Sequence, residues 1–146
     1  MRAVWISGLA ALALFVGLAI HLAPLDPGIV ALQFAATPRA FGEIVHLWSP
    51  QDLQRYRAHL APDMLLLLAY GSFGFLFATR TRLFAPLAAG ARAAARWLMP
   101  VAALADAAEN ALHAWLTEAP RFDVPHLYAI SADRKSTRLN SSHTVL

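Results

Sequence analysis

The feature that most constrains the fold is a long apolar run near the N-terminus. Residues 4–25 are interrupted only by Ser7, His21 and Pro24. About twenty residues of α-helix, rising about 1.5 Å per residue, cross the roughly 30 Å hydrocarbon core of a bilayer. The run therefore predicts a first membrane-spanning helix. A cleaved signal peptide is the alternative, because Arg2 precedes the run, although the apolar core of a signal peptide is usually only about 7 to 15 residues long.

The rest of the chain has the same apolar character. Hydrophobic residues make up 58% of the 146 residues and charged residues 14%, which is more apolar surface than a soluble domain of this size can bury. Residues 62–79 and 97–116 predict two further spans, and residues 122–132 have the composition of the start of a fourth. We therefore expect an all-α integral membrane helical bundle. It forms a single domain over residues 1–132, with three complete spans and a truncated fourth.

The segment between the first two spans, residues 26–61, carries two helix-start signals. Thr37 and Ser49 each precede a proline, and Asp52 stands at the third helical position after Ser49. Hydroxyl caps followed by proline are typical of helix N-termini. Apolar residues then recur at helical spacing, at Phe41, Val45 and Trp48 in one stretch and at Leu53, Tyr56 and Leu60 in the other. This pattern predicts two short helices at the membrane surface or at one end of the bundle.

The charge distribution predicts the orientation. The connection between the second and third spans contains arginines and no acid, at Arg80, Arg82, Arg92 and Arg96. Loops rich in basic residues stay in the cytoplasm. We therefore expect a multi-pass protein of a bacterial inner membrane with a cytoplasmic N-terminus and residues 26–61 on the outer face. Four tryptophans near the predicted boundaries are expected to be interfacial anchors: Trp5, Trp48, Trp97 and Trp115.

Several function classes are excluded. The chain has no cysteine, which excludes disulfides, thiolate metal sites and cysteine nucleophiles. The formal charge of +3 is small and the arginines form no basic stripe, so no nucleic-acid partner is expected. Phosphate-loop, Gly-x-Ser-x-Gly and His-Glu-x-x-His motifs are absent. The expected partners are the lipid bilayer, other membrane proteins or further copies of this chain, and the sequence specifies no cofactor or catalytic residue.

The end of the chain has a different character. Residues 133–143 resemble the in-frame translation of a common short-read sequencing adapter across all eleven codons, and Lys135 in this stretch is the only lysine in the chain. We therefore treat residues 133–146 as a non-native, disordered tail. We expect the natural chain to continue beyond Ala132. The alternative is a genuine polar C-terminal tail.

The third predicted span contains a polar stripe. Asp106, Glu109, Asn110 and His113 are spaced i, i+3, i+4, i+7, so they share one face of a helix. An ionisable side chain in the middle of a membrane helix costs about 3 kcal/mol to insert, so such residues usually face the bundle interior. The stripe is therefore either a functional site or a polar contact between helices.

Polar residues at the start of the second span are candidate partners for the stripe. These are His59, Asp63 and Tyr70. If they converge on the stripe, the group would form a ligand or ion pocket, and its carboxylates and imidazoles would suit Zn, Fe or Mn, although no spacing specifies a metal. The alternative is that the stripe holds the third span against its neighbours.

Short motifs are spread along the chain at Leu32-Gln33-Phe34, Thr37-Pro38, Gln54-Arg55-Tyr56, Asp63, Leu68-Ala69-Tyr70-Gly71 and Ala105-Asp106-x-x-Glu109-Asn110. Together they resemble a family of small uncharacterised bacterial membrane proteins. The resemblance covers residues 1–132, and its most specific element is the Asp-x-x-Glu-Asn box of the third span. It implies four spans and no particular activity.

Two functional hypotheses follow. The first is a binding or structural membrane module in which the stripe lines a polar pocket. The second is a membrane-embedded enzyme or an ion or proton carrier that uses Asp106 and Glu109.

Overall fold

The computed structural model describes residues 1–119, 121, 123–130 and 132. Within these ranges all regular structure is helical, so the all-α prediction is confirmed. The adapter-like stretch 133–143 and the rest of the tail lie outside the described residues. Part of the predicted fourth span also lies outside them.

Helices follow one another along the described part of the chain. They are α1 (Arg2–Leu22), α2 (Ile29–Gln33), α3 (Pro38–Leu47), α4 (Pro50–Arg80) and α5 (Ala89–Leu116). Residues 125–130 are also helical. The sequence predicted α1 and α3 closely, whereas the five-residue α2 was not anticipated.

Both predicted helix starts are confirmed. The side chain of Thr37 accepts a hydrogen bond from the backbone N–H of Ala40 at 3.2 Å. The hydroxyl of Ser49 accepts one from the N–H of Asp52 at 3.1 Å and donates one to the carboxylate of Asp52 at 2.7 Å. These caps satisfy N–H groups that have no partner within their own helix.

Two predicted helix boundaries are wrong. The short helix beginning at Pro50 does not end before the second span but continues through Pro62 to Arg80 as one helix of 31 residues. α5, which the sequence predicted as a span over residues 97–116, begins at Ala89 and contains Pro100 in its interior. A proline removes one backbone hydrogen bond from a helix, and neighbouring helices can compensate for that loss.

In the part of the chain that the structure describes, two helices are long and apolar enough to cross a membrane, α1 and α4. Only 11% of the most apolar window of α1 and 17% of that of α4 are buried within the chain, whereas the core helix of a soluble protein would be mostly buried. The polar stripe of α5 lowers its hydropathy, and α5 does not pass the same test. The predicted count of four spans is therefore not established.

The chain forms two compact units. Unit 1 comprises Met1–Ile20 and His59–Asn110, and unit 2 comprises His21–Ala58 and the described residues from Ala111 onward. In unit 1, small residues allow close helix packing. A Cβ atom placed on Gly8 would lie 3.0 Å from the ring of Phe73, and one on Gly71 would lie 3.1 Å from the Cβ of Ala103. Helix pairs in membranes commonly use small residues in this way.

Unit 2 has an aromatic core. Phe41, Tyr56 and Tyr128 are each at most 2% exposed, and the rings of Phe41 and Tyr128 meet edge to face with centroids 5.1 Å apart. Trp48 belongs to the same core, because its side chain is buried and its indole N–H donates to the carbonyl of Pro27 at 2.8 Å. The prediction that Trp48 is an interfacial anchor is therefore wrong.

On the surface of α3, Arg39 donates a 2.8 Å hydrogen bond to Glu43. This hydrogen bond raises the pKa of the Arg39 guanidinium.

Candidate functional site

The predicted stripe contacts α4 within unit 1 through Asp106. The hydroxyl of Tyr70 donates a 2.6 Å hydrogen bond to the carboxylate oxygen Oδ2 of Asp106, and both side chains are partly buried. Hydrogen bonds of this length from a hydroxyl to a carboxyl oxygen are among the stronger ones in proteins. Tyr70 and Asp106 are thus brought together as the sequence suggested.

A second contact lies nearby along the same two helices. The side-chain amide of Asn110 donates a hydrogen bond to Oδ2 of Asp63, again between partly buried groups. Each of the two contacts joins one donor to one carboxylate. In apolar surroundings such pairing satisfies polar atoms that water cannot reach.

His59 and Glu109 are the most deeply buried ionisable residues of unit 1. His59 is 4% exposed and Glu109 is 8% exposed. Both were predicted site residues, so six of the seven candidates lie in unit 1. Buried ionisable groups on membrane helices are either held by polar partners or take part in function.

The seventh candidate, His113, belongs to the core of unit 2. It is 2% exposed, and its Nδ1 lies 2.8 Å from the hydroxyl of Tyr56. The ring of Phe41 packs against its imidazole edge to face, with centroids 5.7 Å apart. The sequence assigned His113 to the stripe but did not identify Tyr56 as its partner. The signal was available, since a tyrosine on the buried face of an amphipathic helix needs a partner for its hydroxyl.

The end of α5 is tied to the first turns of α4 within unit 2. Arg57 donates to the backbone carbonyl of Thr117 at 3.3 Å and forms a 3.7 Å ion pair with Glu118. The Thr117 hydroxyl, itself buried, donates to the carbonyl of His113 at 2.7 Å. A cation at a helix C-terminus compensates carbonyls that lack an intrahelical donor.

The structure does not support a metal centre made from the predicted residues. In the part of the chain that the structure describes, no three His, Asp or Glu side chains are grouped so that they could hold a metal ion. Asp106 and Asn110 of the stripe form hydrogen bonds with Tyr70 and Asp63, and the hypothesis of a carboxylate–imidazole ligand set for Zn, Fe or Mn has no geometric support among the described residues.

No protein-family model, curated protein or solved structure matches the chain. The resemblance to a family of small four-span bacterial membrane proteins therefore stays a prediction.

Proposed function

We propose that this chain is an integral membrane protein of the bacterial inner membrane that acts as a binding or structural module. In this proposal α1, α4 and α5 cross the bilayer, and the polar residues of α5 fasten it to α4. The observation that carries the proposal is the pair of hydrogen bonds from Tyr70 to Asp106 and from Asn110 to Asp63. Asp106 and Asn110 of the stripe thus each form a hydrogen bond with a residue of α4, as expected for a contact that holds two helices together.

Exposed apolar side chains support the membrane location. On α1, Trp5, Ile6, Leu9, Phe15 and Ile20 are each 60% exposed or more. A water-soluble protein rarely exposes so large a contiguous apolar surface. Lipid or another membrane protein is the medium in which this surface is stable.

The orientation in this proposal follows from the sequence. Residues 64–105 contain four arginines and no acid, which favours a cytoplasmic connection between α4 and α5. The N-terminus is then cytoplasmic as well. A fourth span beginning within 122–132 remains part of the proposal.

Cysteine labelling tests the topology directly, because the chain has no cysteine of its own. Ala36 and Ala85 are exposed residues outside the helices, so Ala36→Cys and Ala85→Cys are well-placed reporters. In intact bacterial cells whose outer membrane has been permeabilised, a membrane-impermeant maleimide should label Ala36→Cys and leave Ala85→Cys unlabelled until the inner membrane is disrupted. Labelling of both residues in intact cells would rule out the proposed crossing by α4.

An ion or proton carrier, or a membrane enzyme, is the competing function. The observation that favours it is the burial of His59 and Glu109 in the unit that also holds Asp106. Buried ionisable groups in membrane proteins often lie on proton or ion pathways.

Conservative substitutions separate the two functions. Asp106→Asn keeps an oxygen that accepts from Tyr70, and Glu109→Gln keeps the size and polarity of the side chain. If these groups are fasteners, the variants retain the folded yield and thermal stability of the parent. If they handle protons, the parent collapses an imposed pH gradient in reconstituted vesicles and the variants do not. Gradient collapse by the parent and its loss in equally stable variants would refute the structural module.

A further inference from the structure

A groove runs between α4 and α5 within unit 1. It has a volume of about 700 Å³ and an almost entirely apolar lining. Its walls include Leu68, Phe75 and Leu76 from α4 and Trp97, Pro100 and Leu104 from α5. Trp97 and Leu104 are 58% and 72% exposed, so the groove is open along one side.

Close approach of the two helices explains why a groove forms here. A Cβ atom on Gly74 would overlap the side chain of Met99, so the Met99 side chain fills the space over Gly74 and the two helices approach closely at this point. The larger residues on either side, such as Phe75 and Trp97 with ring centroids 5.5 Å apart, therefore flank a recess. The recess has the dimensions of a binding site for a slender apolar group.

Both walls of the groove lead to an arginine at the same end. On α4, Arg80 follows the wall residue Leu76 by four positions, and on α5, Arg96 precedes the wall residue Pro100 by four positions. Residues four apart lie on the same helix face, one turn from each other. Since α4 ends at Arg80 and α5 begins at Ala89, both arginines stand at the end of the groove that the connecting segment closes.

The charge at this end is not balanced by nearby acids. Arg80 and Arg96 are exposed, and the stretch 64–105 contains no Asp or Glu. Among the described residues, the ion pairs are made by other arginines, namely Arg39, Arg55 and Arg57. The groove thus combines an apolar trough with an exposed cationic end.

We propose that this groove binds one anionic glycerophospholipid, with an acyl chain along the trough and the phosphate between Arg80 and Arg96. The proposal rests on the proposed membrane location. Guanidinium groups hold phosphate oxygens through paired hydrogen bonds, and basic pockets between membrane helices select anionic headgroups. The positive charge of Arg80 and Arg96 favours an anionic lipid over an apolar partner helix, because such a helix would supply no negative charge to pair with the two arginines.

Native mass spectrometry of the full chain in detergent micelles tests the proposal with two probes of identical acyl chains, phosphatidylglycerol and phosphatidylcholine. The parent should retain phosphatidylglycerol preferentially. The double variant R80Q/R96Q should bind it about 30-fold more weakly, since each basic residue near an anionic lipid surface contributes about fivefold. R39Q/R55Q removes two arginines of unit 2 that do not line the groove and serves as the control, with an expected change of less than about twofold.

The acyl part of the site needs its own variant. Leu104→Trp places a bulky side chain on the groove wall without changing charge, and it should also weaken phosphatidylglycerol binding. Glycerophosphoglycerol, which has the headgroup but no acyl chain, should not compete at the concentrations at which the lipid binds. Competition by this soluble headgroup would show a free-phosphate site and overturn the lipid proposal.

Three further outcomes would overturn the lipid proposal. Equal retention of both lipids, or equal binding by R80Q/R96Q and the control, would overturn the proposal, as would a second copy of the chain occupying the groove in a stable dimer. Failure here is separable from failure of the membrane proposal. If the labelling of Ala36→Cys and Ala85→Cys follows the predicted topology while lipid selectivity is absent, only the lipid site is refuted.

Discussion

The hydroxyl oxygen of Tyr70 on α4 lies 2.6 Å from Oδ2 of Asp106 on α5. This contact converts an acidic residue in an apolar helix into a point of attachment between two helices. It also accounts for the position of a tyrosine within the apolar sequence of α4, since its ring can pack with its neighbours while its hydroxyl meets the carboxylate.

Removal of the Tyr70 hydroxyl should weaken the attachment measurably. In a double-mutant cycle of Tyr70→Phe and Asp106→Ala, we expect a coupling free energy of about 1 kcal/mol, between typical values for membrane hydrogen bonds and for bonds to charged groups. Thermal unfolding in detergent, followed by circular dichroism, measures each corner of the cycle. Strict additivity of the two single effects would mean that the contact contributes nothing to stability.

Gly74 should tolerate no side chain. We expect Gly74→Ala to lower the free energy of unfolding by about 1 to 3 kcal/mol, because the added methyl overlaps Met99 and forces α4 and α5 apart. Gly17→Ala is the matched control, since a Cβ atom on Gly17 meets nothing within 4 Å. In this helix interior, alanine should be neutral or stabilising by up to about 1 kcal/mol. Equal effects at the two glycines would contradict the close approach.

Replacing phenylalanine by alanine should have a large effect on stability in α3 and a small one in α1. Phe41 is 2% exposed, whereas Phe15 is 60% exposed. Phe41→Ala should lower the free energy of unfolding by about 3 to 5 kcal/mol through loss of core contacts. Phe15→Ala leaves no internal cavity and should change it by less than about 1 kcal/mol. A large loss at Phe15 in the isolated protein would show that α1 is buried against another chain.

Local signals in the sequence were sufficient for the helix starts. The caps at Thr37 and Ser49 depend on residues within three positions, so the pattern alone identifies them. The first helix could also be predicted, because an apolar run of this length has few other stable conformations. The contacts of the α5 stripe with Asp63 and Tyr70 could also be predicted, because polar side chains within a membrane usually pair with one another.

Long-range packing determined the features that the sequence did not predict. Pro62 suits the first turn of a helix, where a missing N–H costs nothing, yet it lies in the interior of α4. Trp48 is buried in the aromatic core, and the acceptor for its indole N–H is the carbonyl of Pro27, twenty-one positions earlier. The assignment of His113 to a different core from Asp106 depends on the position of Tyr56 on another helix. Such relationships have no local signature.

The exposure of α1 also affects how the protein has to be handled in experiments. With only 11% of its most apolar window buried by the rest of the chain, this helix touches mainly the surrounding medium. Phe41, by contrast, meets almost only protein atoms. A change from lipid nanodiscs to a short-chain detergent therefore alters the environment of nearly all of α1 and very little of the aromatic core. The stability of α1 therefore depends on which amphiphile surrounds it, and measurements on this helix are comparable only in the same amphiphile.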